Sequence, residues 1–344
     1  MSKSPDRAFT EKLTDWYRKE KRDLPWRVDR SPYHIWVSEI MLQQTRVEAV
    51  KEYYKRFLSE LPEISDLAEA DEEVLLKLWQ GLGYYNRVRN MQKAAKTVME
   101  EFHGSFPETY EEIKGLSGIG EYTAGAIASI CFDQPVSAVD GNVLRVMTRV
   151  LEDDGDIKKT PVKRRISQIL ENIYPDRQCG DFTQGLIELG AMICVPKGDP
   201  KCSLCPVREY CKAAEKGTML EYPVKSKMKE RKQIKKAVFI LKAGNKRAVR
   251  KRGENVLLAG LYEYPNVDCE LTINQAAEQV QAWGLKVVNL ERTSQYKHVF
   301  SHVEWDMTGF YFTVEEENER FRWVTDEEME KDVPLPSAFA YFEA

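Results

Sequence analysis

Two carboxylates that lie far apart in the sequence are the side chains best suited to acid–base chemistry. Glu39 lies in YHIWVSEIMLQQTR, where helical spacing puts it beside an apolar face. Burial there would raise the pKa of its carboxyl, unless the side chain reaches water at the edge of that face. Asp140 directly precedes GNVLRVMTRV, and a capping carboxylate at that position has its pKa lowered by N–H donors and the helix dipole. The pair therefore predicts one proton donor and one permanent anion, although capping alone would also explain Asp140.

A glycine-rich turn precedes an apolar helix that is expected over 123–132. The turn contains Gly115, Gly118 and Gly120. Glycine permits positive φ angles that point successive N–H groups outward, and the start of the helix adds the positive end of its dipole. Such a turn can hold a phosphate without regard to base sequence. An ordinary corner between two helices is the alternative that this pattern leaves open.

Four of the seven cysteines fall within eighteen residues, namely Cys194, Cys202, Cys205 and Cys211. Clustered cysteines in an intracellular protein favour a metal site over disulfides. The run contains one C-x2-C pair, whereas zinc ribbons have two. The other three stand apart and are expected to be isolated structural thiols: Cys131, Cys179 and Cys269.

Composition is that of an ordinary globular protein, but charge is unevenly distributed. The 344 residues are 42% hydrophobic and 31% charged, with a formal net charge of −4. Residues 225–252 carry thirteen Lys or Arg and one acid, whereas residues 313–344 carry ten acids and three bases. The basic stretch could attract phosphate locally, or it could be a solvated linker. The charged start lacks a signal-peptide core and the apolar stretch at 124–132 is too short to span a bilayer, so we expect a cytoplasmic protein without a membrane partner.

The elements that must position these residues change in type along the chain. Helical periodicity recurs over residues 6–220, including helices expected at 35–50 and 48–58. Alternating segments follow, such as KKAVFILKAG, LKVVNL, TSQYKHVF and WDMTGFYFTV. The sequence therefore predicts a helical region followed by an α+β module.

The segment LSGIGEYTA (116–124) resembles the helix-hairpin-helix signature of the DNA glycosylase superfamily, L-P-G-[VI]-G-x-x-T-A, with Ser117 in place of the proline. An essential Asp follows that signature, and Asp140 lies eighteen positions beyond Tyr122. The bifunctional endonuclease III type has a Lys where this chain has Tyr122, and a phenol cannot form the Schiff base that leads to strand cleavage. VSEIMLQQT (37–45) matches the motif that carries the catalytic acid in MutY-type adenine DNA glycosylases. The chain is similar to that family.

The resemblance implies a multidomain protein. It has an all-α helix-hairpin-helix glycosylase core with an iron–sulfur loop, and a C-terminal α+β Nudix-like domain that LLAGLYEYP (257–265) resembles. The implied domains are a helical catalytic region at 6–220, with the hairpin at about 112–132 and the iron–sulfur loop at 194–211, a basic connector at 221–233, and an 8-oxoguanine recognition domain at 234–344. The acidic helix of a working Nudix hydrolase is absent from QAAEQVQAWG (275–284), so this domain is expected to recognise and not to hydrolyse.

The resemblance also implies roles for individual residues. Glu39 would protonate adenine and later activate water, Asp140 would stabilise or capture the sugar cation, and Tyr122 and Asn142 would position this group. The adenine would be flipped out of the duplex into a pocket formed by Arg22, Trp26, Arg27 and Gln184, although core packing would also explain Trp26. Contacts with DNA or 8-oxoguanine would come from Gln44, Thr45, Leu82, Tyr84, Gly118, Gly120, Phe300, Ser301 and His302.

The family's cysteine pattern, C-x6-C-x2-C-x5-C, holds a [4Fe–4S] cluster, and this chain has the same pattern with one extra residue in the first gap. The resemblance therefore implies a [4Fe–4S] cofactor, with zinc or an empty site as alternatives. The implied partner is double-stranded DNA with adenine opposite 8-oxoguanine or guanine. The protein would act as a monomer, associated with the nucleoid in a bacterium.

Two other functions remain compatible with the sequence. An endonuclease III-type enzyme would act on oxidised pyrimidines and cleave the strand, which Tyr122 and the C-terminal module oppose. A non-catalytic protein could use a cluster for DNA binding or redox sensing, which the joint presence of Glu39 and Asp140 opposes.

Overall fold

The computed structural model describes residues 2–226, 230–254 and 256–343, so residues 227–229 of the predicted connector lie outside the described residues. Its helices are α1 (Arg7–Glu20), α2 (Pro32–Met41), α3 (Val47–Glu60), α4 (Ile64–Glu69), α5 (Glu72–Leu78), α6 (Asn86–Glu101), α7 (Tyr110–Gly115), α8 (Glu121–Phe132), α9 (Gly141–Leu151), α10 (Thr160–Glu171), α11 (Cys179–Met192), α12 (Lys212–Lys216), α13 (Ile273–Ala282), α14 (Asp326–Asp332) and α15 (Ser337–Ala340). Its strands are β1 (Lys232–Ala243), β2 (Lys246–Lys251), β3 (Tyr262–Glu263), β4 (Asn266–Val267), β5 (Val287–Val299), β6 (Val303–Val314) and β7 (Arg322–Thr325). In these described ranges, no helix has the length and apolar character needed to cross a membrane.

The chain divides into two compact units, which we call the helical unit and the sheet unit. The helical unit comprises residues up to 69 and from 90 to 226, and the sheet unit comprises residues 70–89 and the C-terminal part of the chain from 230 onward. Residues 70–89 therefore fold with the C-terminal part, although they lie inside the region that periodicity marks as helical. A multidomain protein with a helical part and an α+β part is confirmed.

In the helical unit, α11 is the central element because it packs against α1, α8 and α9. Its buried face includes Phe182, Leu186 and Leu189, which join the core between these helices. The helix expected at 35–50 is wrong in extent. α2 ends at Met41, and Gln44 adopts a left-handed φ of 61° in the turn that separates it from α3.

In the sheet unit, the strand order is β3-β2-β1-β6-β5, with β4 paired to β1 and β7 paired to β2. β1 and β6 are parallel, whereas β5 and β6 are antiparallel. The two strands expected at 285–290 and 293–300 form the single strand β5, which absorbs two irregularities of register near Asn289 and Arg292. One face of the sheet packs against α13 and the other against α14 and α15, which explains the uninterrupted buried run in the middle of β1.

Candidate active site

The helical unit contains a cavity of about 1020 Å³ that brings all four predicted catalytic residues together. α2, α8, the start of α9 and α11 form its wall. The predicted site residues that line it are Glu39, Tyr122, Asp140, Asn142, Arg22, Trp26, Arg27, Gln184, Gln44, Thr45 and Gly120. The two carboxylates, which sequence alone could only suggest as partners, face the same space.

Glu39 is buried, with 8% of the residue exposed. The packing of α2 against α8 brings its carboxylate to the first turn of α8, where the Tyr122 hydroxyl donates a hydrogen bond of 2.7 Å to it. Burial raises the pKa of Glu39 to about 7, because the hydrogen bond from Tyr122 only partly offsets the loss of solvation and the charge of Asp140 adds to the rise. Burial also raises the pKa of Tyr122 well above its ordinary value, so the phenol is a neutral donor. A protonated carboxyl near neutral pH is what a general acid requires.

Asp140 caps α9, as the sequence predicts, but the expected direction of its pKa is wrong. Its carboxylate accepts 2.7 Å hydrogen bonds from the Val143 N–H and from the side-chain amide of Asn142. Burial nevertheless raises the pKa of Asp140 from its ordinary value, because the cost of desolvation exceeds the effect of these donors. Capping is a local property that the sequence reveals, whereas the sequence does not reveal how deeply the cap lies inside the fold.

Asn142 is held in turn by Arg145, a buried cation that sequence reasoning missed. The Arg145 guanidinium donates to the Asn142 side-chain oxygen at 2.9 Å, to the Gly190 carbonyl at 2.8 Å and to the Cys194 carbonyl at 2.7 Å. Asn142 therefore presents its N–H group to Asp140 in a fixed orientation.

A second buried carboxylate, Glu188, was also missed. Arg22 and Arg27 both donate to it, with closest distances of 2.8 Å, and its side chain is fully buried. Burial alone would raise the pKa of Glu188, but the two guanidinium groups outweigh it and lower the pKa to about 2. Glu188 lies one turn after Gln184 on α11. Asp181, Gln184 and Glu188 recur at helical spacing on one face of α11, and this polar stripe was the available signal.

Trp26 is placed both at the cavity and in the core. It lines the cavity and also packs edge-on against Tyr54, with ring centroids 5.5 Å apart. The cavity continues toward α10, where sequence reasoning assigned no residues. Polar side chains line that end, namely Lys163, Arg164, Ser167, Gln168 and Glu171.

The predicted hairpin consists of α7, a turn at 116–120 and α8. Gly118 has φ 77°, and a Cβ atom there would lie 2.6 Å from the Asn90 Cβ. Gly120 forms the N-cap position of α8 and, as a glycine, supplies no side-chain acceptor to the N–H groups at the start of the helix. This geometry suits a phosphate.

The remaining predicted contact residues lie in the sheet unit. Tyr84 and Ser301 are joined by a hydrogen bond between their hydroxyl groups. Leu82, predicted to contact DNA or 8-oxoguanine, is 6% exposed. Phe300 packs edge-on against Trp305 at 4.7 Å, and His302 is exposed.

The four clustered cysteines line one small cavity of about 30 Å³ in the helical unit. Apolar side chains form most of the rest of its wall, and the Arg149 guanidinium lies 3.2 Å from the Cys194 sulfur. Within the described ranges, no group of three or more His, Cys, Asp or Glu side chains forms a site for a metal ion. Four thiols around an enclosed apolar space nevertheless fit an iron–sulfur cluster in donor type and number.

Comparison with known proteins agrees with the two-unit architecture. Residues 37–172 match the model of the HhH-GPD superfamily of base excision DNA repair proteins, and residues 237–342 match the NUDIX domain. Adenine DNA glycosylase from Mus musculus is 35% identical, over 86% of this chain and 69% of the mouse protein. The adenine DNA glycosylase of Buchnera aphidicola subsp. Schizaphis graminum is 34% identical, over 86% of this chain and 84% of its own length.

Among solved structures, a thermostable thymine-DNA glycosylase is 28% identical and superposes with a TM-score of 0.56, covering 61% of this chain and 96% of its own. A trapped endonuclease III–DNA covalent intermediate is 24% identical with a TM-score of 0.52 and covers the same shares, which shows a common fold. The chain therefore belongs to the HhH-GPD superfamily of base excision DNA repair proteins and, within it, to the adenine DNA glycosylase family.

Proposed function

We propose that this protein is a monofunctional DNA glycosylase of base excision repair that hydrolyses the N-glycosidic bond of adenine mispaired with 8-oxoguanine, and of adenine opposite guanine. Removing that adenine would prevent G:C to T:A transversions. The observation that carries the proposal is the pairing of two carboxylates in one cavity. Glu39 is a buried acid with a pKa near 7, and Asp140 is a carboxylate that caps α9.

The mechanism assigns each carboxylate one task. Glu39 donates its proton to a ring nitrogen of adenine, taken as N7, so that the base leaves as a neutral molecule when its bond to the sugar breaks. Asp140 stabilises the positive charge that develops on the sugar. The ionised Glu39 then removes a proton from the water that adds to the sugar carbon, which restores the acid.

Three features of the cavity support this sequence of steps. The Tyr122 hydroxyl orients the Glu39 carboxyl, and as a phenol it supplies no amine for a Schiff base, so the strand stays intact. The guanidinium groups of Arg22 and Arg27 are fixed by Glu188 beside the space for the base. Gln184 offers an amide for the edge of the adenine.

Binding of double-stranded DNA is supported by neutral and by charged groups. The turn at Gly118 and Gly120 can hold the phosphate backbone next to the cavity, where Lys163 and Arg164 add positive charge. We assign recognition of the opposite base to the sheet unit, with Ser301 donating or accepting at the altered edge of 8-oxoguanine. We take the active species to be a monomer.

We also propose that the four cysteines hold a [4Fe–4S] cluster. When bound, such a cluster would cross-link the loop at 194–211 and could supply one-electron redox chemistry. Chemical determination of iron and sulfide in the purified protein is expected to give about four of each per chain. Cys202→Ser should lower both contents, whereas Cys269→Ser, at an exposed position outside the cavity, should leave them unchanged. Zinc in place of iron would contradict the assignment.

Excision assays on defined duplexes test the catalytic proposal. The purified protein is incubated with duplexes that carry adenine opposite 8-oxoguanine, guanine or thymine. Strand breaks at the adenine are expected only after alkali treatment, fastest opposite 8-oxoguanine, and Glu39→Gln should slow them by about 10²–10⁴-fold. Breaks without alkali, together with a borohydride-trapped protein–DNA adduct, would instead identify a lyase of the endonuclease III type.

A further inference from the structure

Residues 70–89 are anchored to the rest of the sheet unit through polar contacts along their length. We call these residues the bridging segment, which comprises α5, a loop and the first turn of α6. The Lys77 ammonium donates to the carbonyl oxygens of Met329 and Val333, each at 3.3 Å. Glu73 and Lys251 form an ion pair of 2.8 Å. The start of the segment is thereby attached to α14 and β2.

Arg89 closes the other end of the bridging segment. Its guanidinium donates to the Glu72 carboxylate at 2.6 Å and to the Ala259 carbonyl at 2.7 Å, with 25% of the side chain exposed. One guanidinium therefore joins both ends of the segment to the turn at 257–261. Gly260 in that turn has φ 73°, and a Cβ there would lie 2.5 Å from the Arg89 Nη2 atom. Glycine makes this close approach possible.

The loop inside the segment has its own support. The Arg87 guanidinium donates to the carbonyls of Leu82 and Gly83 at 3.0 Å, and the Trp79 indole donates to Gly83 at 3.1 Å. Tyr84 has a left-handed φ of 49° and is 47% exposed as a residue, yet its hydroxyl is bonded to Ser301. A braced loop thus presents an accessible aromatic ring next to the hydroxyl assigned to the opposite base.

We infer that Arg89 is a positioning residue for recognition of the base opposite the target adenine. By tying the bridging segment to the 257–261 turn, it keeps Tyr84 in register with Ser301. A hydrogen bond between two hydroxyls tolerates little displacement. If the bridging segment were released from the 257–261 turn, Tyr84 and Ser301 would therefore no longer be aligned toward the base. The inference rests on the proposed function, because it explains how that site distinguishes 8-oxoguanine from guanine.

The test measures single-turnover excision rates for adenine opposite 8-oxoguanine and opposite guanine, and takes their ratio. Arg89→Ala is expected to lower this ratio by about fivefold or more, while the rate opposite guanine stays within about twofold of that of the unmodified protein. Arg89→Lys keeps the charge near Glu72 but offers a single point donor, so its ratio should be intermediate. Arg320→Ala removes an exposed cation of the same unit and should leave the ratio unchanged.

Two double variants separate positioning from general destabilisation. In Gly260→Ala, the added methyl group would push the Arg89 guanidinium away from the 257–261 turn. This variant should therefore lower the ratio by itself, and combining it with Arg89→Ala should lower the ratio little further. It also supplies the test if Arg89→Ala does not fold. Ser301→Ala should likewise add little in the Arg89→Ala background, because both changes remove the same alignment.

Two outcomes would overturn the inference, and they differ in what else they remove. If Arg89→Ala and Gly260→Ala slow both substrates equally and leave the ratio intact, Arg89 has a structural role only, and the proposed function stands. If the unmodified protein itself excises adenine equally fast opposite both bases, the assignment of 8-oxoguanine recognition falls together with the inference.

Discussion

At the scale of single residues, the two carboxylates of the cavity are distinguished by their hydrogen-bond partners. Glu39 is buried and Asp140 is half-buried, and the loss of solvation raises the pKa of both. Asp140 accepts from the Val143 N–H and from Asn142, whereas Glu39 accepts from the Tyr122 hydroxyl. An anion needs donors to persist in a buried site, so the arrangement makes Asp140 the more stable anion and Glu39 the proton carrier.

The pH dependence of excision should therefore follow Glu39 and respond to Tyr122. Since the acid must be protonated, kcat/KM is expected to fall as pH rises through about 7. Tyr122→Phe removes the hydrogen bond that lowers the pKa of Glu39, so the alkaline limb should move to higher pH. Single-turnover profiles between pH 5 and 9, recorded for the unmodified protein and for Tyr122→Phe, locate the alkaline limb in each. An unmoved limb in Tyr122→Phe would mean that another group controls the profile.

Glu188 should matter for stability as well as for the pocket. Glu188→Gln leaves the Arg22 and Arg27 guanidinium groups without their shared counterion, and breaking such a buried pair costs about 3–5 kcal/mol. Because the folded-state pKa of Glu188 is lowered to about 2, its contribution is present above its unfolded value and is lost as pH falls toward 2. Urea unfolding of both proteins at pH 7 and pH 3 should show the difference shrinking in acid.

A matched control for that experiment is Glu171→Gln, which changes an exposed carboxylate on the same cavity. Its free energy of unfolding should differ little from that of the unmodified protein. An equal loss in both variants would mean that general charge balance, and not the arginine pair, stabilises this end of the cavity.

Sequence reasoning reaches local residue properties and misses the depth of burial. The apolar neighbours of Glu39 predict its raised pKa, and the position of Asp140 before α9 predicts its cap. The direction for the pKa of Asp140 is wrong because desolvation inside the fold outweighs the local hydrogen bonds of the cap. Glu188 was missed because its partners, Arg22 and Arg27, lie far away in the sequence.

At the scale of elements, the hairpin turn depends on one glycine more than on its neighbour. Gly118→Ala would strain a backbone with φ 77° and push a methyl group against Asn90, which costs about 1–3 kcal/mol. A displaced turn would also misdirect the N–H groups at the start of α8. We expect a lower melting temperature and several-fold weaker binding to duplex DNA, measured by thermal unfolding and by fluorescence anisotropy.

Gly115→Ala is the matched control, because Gly115 has an ordinary φ and a methyl group there would meet no heavy atom within 4 Å. Alanine at this last residue of α7 should leave DNA binding unchanged and slightly stabilise the helix. If Gly115→Ala and Gly118→Ala both weakened DNA binding, the cause would be any added methyl group near the turn, and not the specific backbone geometry at Gly118.

Element boundaries illustrate a further limit of periodicity. The apolar pattern of 35–50 continues across a turn whose left-handed residue is Gln44, a residue type that gives no turn signal. Conversely, β5 appears as two strands in the sequence because its polar middle is exposed while its register shifts. Both errors arise where a backbone irregularity is fixed by tertiary packing.

At the scale of the whole molecule, the division into two units follows contacts that the sequence does not announce. Hydrophobic periodicity separates a helical part from an α+β part, but residues 70–89 lie in the helical part and nevertheless fold with the sheet unit. Their attachment rests on α5 packing against α14 and on contacts such as Lys77 with Val333 and Arg89 with Ala259. These partners lie far along the chain, so no local window contains the information.

This arrangement predicts the effect of removing the C-terminal part of the chain. A protein truncated after residue 226 keeps the bridging segment but loses the carbonyl acceptors of Lys77 and Arg89 at Met329, Val333 and Ala259. The segment should become a preferred site of proteolysis, because cleavage follows local opening. Limited trypsin digestion with mass spectrometry is expected to find early cuts after Lys77, Arg87 or Arg89 in the truncated protein and late cuts there in the full chain.

The helical unit of the truncated protein should still excise adenine, but at similar rates opposite 8-oxoguanine and guanine. If the bridging segment stays protected in a truncated protein that is otherwise folded, then the helical unit holds it. The contacts of the segment with the C-terminal part of the chain would then not be what keeps the loop at Tyr84 ordered.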